Sequence, residues 1–236
     1  MKGYSYTDIK RVYITASGGP FLNYPKKNFK TIKPKNALKH PNWKMGKKIS
    51  IDSATMINKV YEVIEAKNLF QIPYKKIKIL IHPKSYVHCL IKFNTGLTKI
   101  IAHDTTMKIP IFNTLYNKTN KNLKSNSVDI FKLNSLNYTK VNLSRFPMVK
   151  ILKLLPIKNS LYETVIVSAN DSLVNLFLHK KIRFNDLYNE LIKFINLKEF
   201  LKYKKKFPKK VADIVELNDY VSSKILKKVY KTENVK

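Results

Sequence analysis

Short apolar runs separated by turn residues dominate the first half of the chain, and this pattern predicts β-strands. The runs lie at residues 11–15, 77–81, 87–93 and 97–102. The tripeptide Asn94-Thr95-Gly96 joins the last two runs and is a hairpin signal.

The segment between the first two strands predicts loops and then one helix. Residues 22–48 are basic and interrupted by three prolines, which allows at most a short helix. Residues 49–52 are typical of the end of a strand, and Asp52 or Ser53 can cap a helix from about 54 to 69. The apolar stripe of that helix comprises Met56, Val60, Val63, Ile64 and Phe70.

Helical spacing replaces the strand pattern in the second half. A segment rich in Asn, Ser, Lys and Thr, at about 117–142, predicts a linker, and after it apolar residues recur every three or four positions. These later helices are expected at 146–155, 162–179, 184–195 and 211–228. The sequence therefore predicts an α+β protein, in which a mixed-sheet α/β domain at 1–117 is followed by a linker at 118–143 and a small helical bundle at 144–236.

Composition narrows the class of protein. The chain of 236 residues and 27.6 kDa is long enough for a hydrophobic core, and Cys89 is its only cysteine, so an internal disulfide is excluded. No apolar run approaches the roughly 20 residues of a membrane helix. The first residues resemble no secretion signal, and we expect a cytoplasmic protein without membrane contact.

The net charge of +31 raises nucleic-acid binding as an alternative. However, only three of the 46 basic residues are arginines, and the basic residues divide evenly, with 22 in 1–118 and 24 in 119–236. A nucleic-acid-binding surface is usually concentrated and favours the bidentate guanidinium group. Most lysines are therefore interpreted as solvated surface, and no nucleic-acid partner is expected.

Two loops could bind a ligand. Residues 15–21 place Ser17 and two glycines directly after a strand, where the backbone can approach an anion, although a tight structural turn gives the same pattern. Residues 39–46 hold His40, Trp43 and Gly46 in a proline-bordered loop that could close as a lid over a charged substrate.

The segment 52–62 is the most informative. If it opens a helix, Ser53 lies at the N-terminus, which favours a phosphate group, and Asn58, Lys59 and Glu62 share one face. That face could hold a phosphate beside a divalent metal ion, with Lys59 on the anion and Glu62 on the metal. A capped helix with an exposed Lys–Glu pair is the alternative.

These three segments together resemble the 1-deoxy-D-xylulose 5-phosphate reductoisomerase family. The resemblance rests on Thr-Ala-Ser-Gly-Gly-Pro-Phe at 15–21, the run from Ala37 to Met56, and Asn58, Lys59 and Glu62. Residues 82–88 and 167–171 also look like family segments. The family converts 1-deoxy-D-xylulose 5-phosphate into 2-C-methyl-D-erythritol 4-phosphate for isoprenoid synthesis, using NADPH and Mg²⁺ or Mn²⁺.

The resemblance implies a role for each matching residue. Substrate would be bound by Ser17, His40, Trp43, Ser53, Asn58, Lys59 and Glu62. Among these, Lys59, Glu62 and His40 would be catalytic, Glu62 would bind the metal, and Trp43 would lie on the lid. Gly46 would approach NADPH, and a homodimer is expected.

Two family features have no counterpart in this sequence. The only paired glycines are Gly18-Gly19, so the Rossmann fingerprint of the family's NADPH domain is missing, as is the Asp-Ser-Glu motif that supplies two more metal ligands. Val60 and Lys84 also replace a usual Gly and a common Gln. Residues 1–117 would then be an N-terminally truncated catalytic domain, and we expect the isolated polypeptide to be inactive. His82, His88, His103 and His179 are interpreted as packed or surface residues.

Overall fold

A five-stranded mixed sheet organises the first part of the molecule. The computed structural model describes residues 6–43, 45–116 and 121–233. The strand order is β4-β3-β1-β2-β5, with β1 at Ile9–Ala16, β2 at Ile77–Ile81, β3 at Val87–Phe93, β4 at Thr98–Ala102 and β5 at Thr139–Lys140. β1 and β2 run parallel, and the other neighbouring pairs are antiparallel. The four predicted strands and the hairpin are confirmed.

The helices fill the β1–β2 connection and most of the chain after the sheet. The α-helices are α1 Pro34–Ala37, α2 Lys47–Thr55, α3 Ile57–Phe70, α4 Lys108–Leu115, α5 Ile130–Asn134, α6 Leu161–Leu178, α7 Phe184–Ile195, α8 Lys198–Leu201 and α9 Val211–Glu233. Short 3₁₀ turns lie at Tyr6–Asp8, Gly19–Phe21, Lys26–Thr31, Tyr74–Lys76, Pro147–Lys153 and Lys202–Lys205. The α+β class is confirmed.

Two hydrophobic cores meet at α3. Val63 of α3 and the preceding Met56 pack with Val12, Ile77 and Phe93 of the sheet. Other apolar residues of α2 and α3 pack against the later helices, among which α6 is central and contacts α2, α7 and α9. The start of α6 is fixed by a capping box, in which Ser160 and Glu163 satisfy each other's backbone N–H groups.

The prediction around residues 49–52 is wrong. These residues belong to α2, which begins after Gly46, and Met56 adopts a left-handed conformation with φ 63° that separates α2 from α3. Ile49 and Ile51 alternate as in a strand, but Lys48 and Asp52 form an i,i+4 ion pair of 2.7 Å that is compatible with a helix. Consequently Ser53 lies in the last turn of α2 and does not cap a helix.

The predicted linker contains regular structure. Residues 117–120 lie outside the described residues, so the predicted boundary at 117/118 is not described. Within the segment, α5 forms, and β5 pairs with the end of β2, with Thr139 opposite Ile81. The division into domains stays a prediction. No helix in the described part of the chain has the length and apolar character needed to span a bilayer.

Candidate active site

A cleft of about 450 Å³ opens beyond the carboxyl end of β1. Its walls come from the turn after β1, the loop before α2, one face of α2, the first turns of α3, and residues around β3. The cleft brings together all seven residues predicted to bind substrate, namely Ser17, His40, Trp43, Ser53, Asn58, Lys59 and Glu62. Gly46 does not line it but directly follows Met45, which does.

The glycine pair holds Ser17 against α2. Gly18 and Gly19 have φ of 87° and 62°, and the Ser17 hydroxyl accepts a hydrogen bond of 3.1 Å from the Gly19 N–H. A Cβ at Gly19 would lie 2.9 Å from the Ser53 carbonyl oxygen. Only glycine at position 19 allows the turn after β1 to lie this close to the backbone of α2. The contact keeps Ser17 and Ser53 near each other.

His40 is a neutral hydrogen-bond donor to Ser17. Its Nδ1 accepts backbone N–H bonds from Asn42 at 3.2 Å and Trp43 at 3.0 Å, so the proton must lie on Nε2, which is 3.3 Å from the Ser17 Oγ. Burial and the nearby Lys59 lower the pKa of His40, which keeps the ring uncharged at neutral pH. The same contacts fold the loop that carries Trp43.

α3 supplies the charged groups. Asn58 and Lys59 lie in its first turn, where the helix dipole favours an anion. The helix N-terminus expected at Ser53 is therefore the N-terminus of α3. The Lys59 ammonium pairs with both carboxylate oxygens of Glu62, at 2.7 and 2.9 Å. The Lys59 side chain is 16% exposed and that of Glu62 is 38% exposed, so the carboxylate is open to the cleft.

The described residues do not form a complete metal site. Glu62 offers one carboxylate, which Lys59 already neutralises, and no cluster of three or more His, Cys, Asp or Glu residues suited to a metal occurs among residues 6–43, 45–116 and 121–233. Mg²⁺ requires near-octahedral oxygen coordination. Glu62 can therefore contribute one ligand, and the remaining donors are not found in this part of the chain.

Sequence reasoning missed two polar contributors to the cleft. Ser85 and His88 line it, and Asn42 donates bonds of 2.9 Å to the Ser85 hydroxyl and the Pro83 carbonyl, which ties the Trp43 loop to the chain between β2 and β3. The resemblance of residues 82–88 to a family segment was the available signal. His82, by contrast, is packed as predicted, with 0% exposure.

His88 stacks on a second imidazole, that of His103. The two ring centroids are 3.7 Å apart, and the His88 Nε2 is 3.3 Å from the His103 carbonyl oxygen. Burial, aided by His103, lowers the pKa of His88 to about 4. The wall of the cleft opposite α3 therefore adds a polar but uncharged group.

Family models match two parts of the chain. A model described as the 1-deoxy-D-xylulose 5-phosphate reductoisomerase C-terminal domain matches residues 1–70, and one described as the DXP reductoisomerase C-terminal domain matches residues 104–223.

Similar proteins carry the same description. The 1-deoxy-D-xylulose 5-phosphate reductoisomerase of Pelagibacter ubique is 58% identical over 218 residues, covering 92% of this chain and 56% of that protein. The enzyme of that name from Sulfurihydrogenibium sp. is 42% identical over 192 residues, covering 81% of this chain and 51% of that protein. The chain thus spans about half the length of these curated relatives.

Solved structures of this description share the fold. A reductoisomerase in complex with NADPH, fosmidomycin and magnesium superposes with a TM-score of 0.85 at 31% identity, covering 96% of this chain and 56% of the other. The Zymomonas mobilis enzyme in complex with NADPH gives a TM-score of 0.83 at 30% identity, covering 97% and 58%. None of these names supports the nucleic-acid-binding alternative.

Proposed function

Because this chain belongs to the 1-deoxy-D-xylulose 5-phosphate reductoisomerase family, we propose that it provides the sugar-phosphate site for the conversion of 1-deoxy-D-xylulose 5-phosphate into 2-C-methyl-D-erythritol 4-phosphate. The observation that carries the proposal is the meeting of Ser17, Ser53, Asn58 and Lys59 in one cleft. Two hydroxyls, an amide and a cation are a suitable donor set for a phosphate group.

The phosphate end of the substrate would be bound mainly by these four side chains. Lys59 supplies the positive charge, and the first turn of α3 adds its dipole. A hydrogen bond that involves a charged group contributes about 1.5–3 kcal/mol, so three or four such bonds are enough for specific binding of a sugar phosphate. His40, neutral and donating through Nε2, would orient Ser17 and contact the substrate beside it.

The loop with Trp43 would cover the bound substrate. His40 and Asn42 hold this loop from its two sides, through Trp43 N–H and through Ser85. An indole ring closing over the cleft would exclude water, which strengthens the electrostatic contacts beneath it.

NADPH and the metal would complete the site. We propose Gly46 as the position where the nicotinamide cofactor approaches, because the family resemblance implies this role and Gly46 directly follows Met45 of the cleft wall. The solved reductoisomerase in complex with NADPH, fosmidomycin and magnesium supports both cofactors, and the Zymomonas mobilis enzyme in complex with NADPH supports the nucleotide. The metal, Mg²⁺ or Mn²⁺, would polarise the substrate oxygens, with Glu62 as one ligand; the residues that the structure describes offer too few donors to bind it tightly.

A homodimer is also part of the proposal. β4 is an edge strand, and its Ile100 and Ile101 are 53% and 47% exposed. Ile111 and Leu115 of α4 are also exposed, and exposed apolar side chains of this kind are suited to contact with a second copy. We expect the enzyme to act in the cytoplasm.

The function is tested with a chimera. This chain replaces the matching part of the Pelagibacter ubique relative, and NADPH oxidation is measured with 1-deoxy-D-xylulose 5-phosphate and Mg²⁺. We expect turnover that is lost in the Lys59→Ala chimera. A chimera that folds and binds NADPH but neither binds nor converts the sugar phosphate would contradict the proposal.

A further inference from the structure

Two faces of the helix α2 have different tasks. Ile49 and Ser53, four residues apart, line the cleft together with Met56, the residue that follows the helix. Lys48 and Asp52, four residues apart, point instead toward α6, a helix that contributes nothing to the cleft wall. The short helix is therefore held between the sugar-phosphate site and the helical part of the protein.

A polar network, buried at Asp52 and Asn170 and open to solvent at Lys48 and Asp171, joins α2 to α6. The Asn170 amide donates a hydrogen bond of 2.8 Å to Asp52 Oδ1, and the Lys48 ammonium lies 2.7 Å from Asp52 Oδ2 and 2.8 Å from Asp171 Oδ1. Asp52 is 2% exposed and Asn170 is 1% exposed. Because each of its two carboxylate oxygens has its own partner, the Asp52 side chain is held in one orientation.

The backbone at the two ends of α2 does not by itself fix the rotation of the helix, which depends on side-chain contacts. The helix has nine residues, it follows the loop at Gly46, and the left-handed Met56 interrupts the backbone before α3. A rotation of about 20° would move an atom about 4 Å from the helix axis by roughly 1.4 Å, which is enough to break a hydrogen bond. Ser53 directly follows Asp52, so the orientation of one fixes that of the other.

We propose that Asp52 and Asn170 are positioning residues that set the rotation of α2 and so direct the Ser53 hydroxyl toward the substrate phosphate. This inference rests on the proposed function. Asn170, a residue of the helical part of the chain, would thus affect phosphate affinity although it does not line the cleft.

The test compares two ligands in the 236-residue chain by titration calorimetry. 1-Deoxy-D-xylulose 5-phosphate reports the phosphate contacts, and unphosphorylated 1-deoxy-D-xylulose reports the rest of the site. In Asn170→Ala we expect at least a tenfold loss of affinity for the phosphorylated sugar and no change for the unphosphorylated one. Loss of stability alone would not alter the ratio of the two affinities.

Ser168→Ala is the matched control. Ser168 lies two residues away on α6, is 1% exposed, and donates a bond of 2.7 Å to Asn218 of α9, away from α2. Its loss should destabilise the protein to urea to a similar extent while leaving the affinity ratio unchanged. If Asn170→Ala does not fold, Asp52→Asn, which preserves the side-chain volume, is measured instead, with the same expected change in the ratio.

The outcomes separate the two proposals. If the unsubstituted chain shows no preference for the phosphorylated sugar, the proposed function fails. If it shows the preference and the folded Asn170→Ala or Asp52→Asn variant keeps it, the positioning role is wrong while the proposed function stands.

Discussion

Substitution of Gly19 by alanine tests how closely the serine turn and α2 must approach. The new Cβ would lie 2.9 Å from the Ser53 carbonyl oxygen, a backbone atom that cannot move without moving α2. The residue must also adopt φ of 62°, a left-handed conformation that costs a non-glycine residue about 1–2 kcal/mol. We therefore expect both a less stable protein and a displaced Ser53.

Gly19→Ala should also lower the affinity for the sugar phosphate, independently of its effect on stability. Displacement of Ser53 weakens its hydrogen bond to the phosphate. Complete loss of that bond would cost about 1.5–3 kcal/mol, which corresponds to a decrease in affinity of roughly tenfold or more. Calorimetric titration with 1-deoxy-D-xylulose 5-phosphate measures it, and urea unfolding measures the stability.

Gly96→Ala is the control for backbone strain. Gly96 has φ of 94° in the β3–β4 hairpin, and a Cβ there would meet nothing within 4 Å. Gly96→Ala should lose only the stability that the left-handed backbone costs, about 1–2 kcal/mol, and should bind the sugar phosphate normally. If Gly19→Ala binds as tightly as the unsubstituted chain, or if both variants lose affinity equally, the close contact does not position the site.

Three further changes follow from the site. Lys59 is the only lysine or arginine among the described residues that line the cleft. Lys59→Met should lower affinity for the sugar phosphate at least tenfold in the same calorimetric assay, and by more than Lys78→Met, a substitution on β2 outside the cleft. Mn²⁺ should bind the 236-residue chain only weakly, and the Glu62→Gln variant should bind it no more tightly, as measured by electron paramagnetic resonance. Tight binding would show that the set of metal ligands is complete. The pKa of His88 is lowered to about 4, so the folded protein does not bind a proton at His88 that the unfolded chain binds below pH about 6.5. Acidification from pH 6.5 to 4 should therefore remove about 1–2 kcal/mol of stability, and His88→Gln should retain it, as measured by urea unfolding at each pH. Parallel curves for the two proteins would contradict the lowered pKa of His88.

Much of the fold is visible in the sequence because its apolar pattern is regular. The prediction of 184–195 matches α7 at both ends, since that helix has one buried face that includes Phe184, Leu187 and Leu191. β5 was not predicted, because two residues cannot display a period and their pairing with β2 depends on tertiary structure.

The error at residues 49–52 has a local cause. The short alternation of Ile49 and Ile51 satisfies a strand template, whereas the helical evidence lies in the Lys48–Asp52 spacing and in partners supplied by α6 more than 100 positions later. A window of four residues cannot contain that information.

The site was predicted more fully than its surroundings. Ser17, Trp43 and Lys59 belong to motifs whose order carries the resemblance, and the structure brings them into one cleft. His88 lines the cleft and stacks on His103, which follows β4, and no pattern within its own strand reveals that contact.

The central claim is that the cleft binds the phosphate of a sugar phosphate. A crystal structure of the chain with 1-deoxy-D-xylulose 5-phosphate tests it most directly. We predict phosphate oxygens within about 3.2 Å of the side chains of Ser17, Ser53, Asn58 and Lys59. A phosphate found elsewhere, for example among the lysines at 202–210, with the cleft free of ligand, would contradict the account.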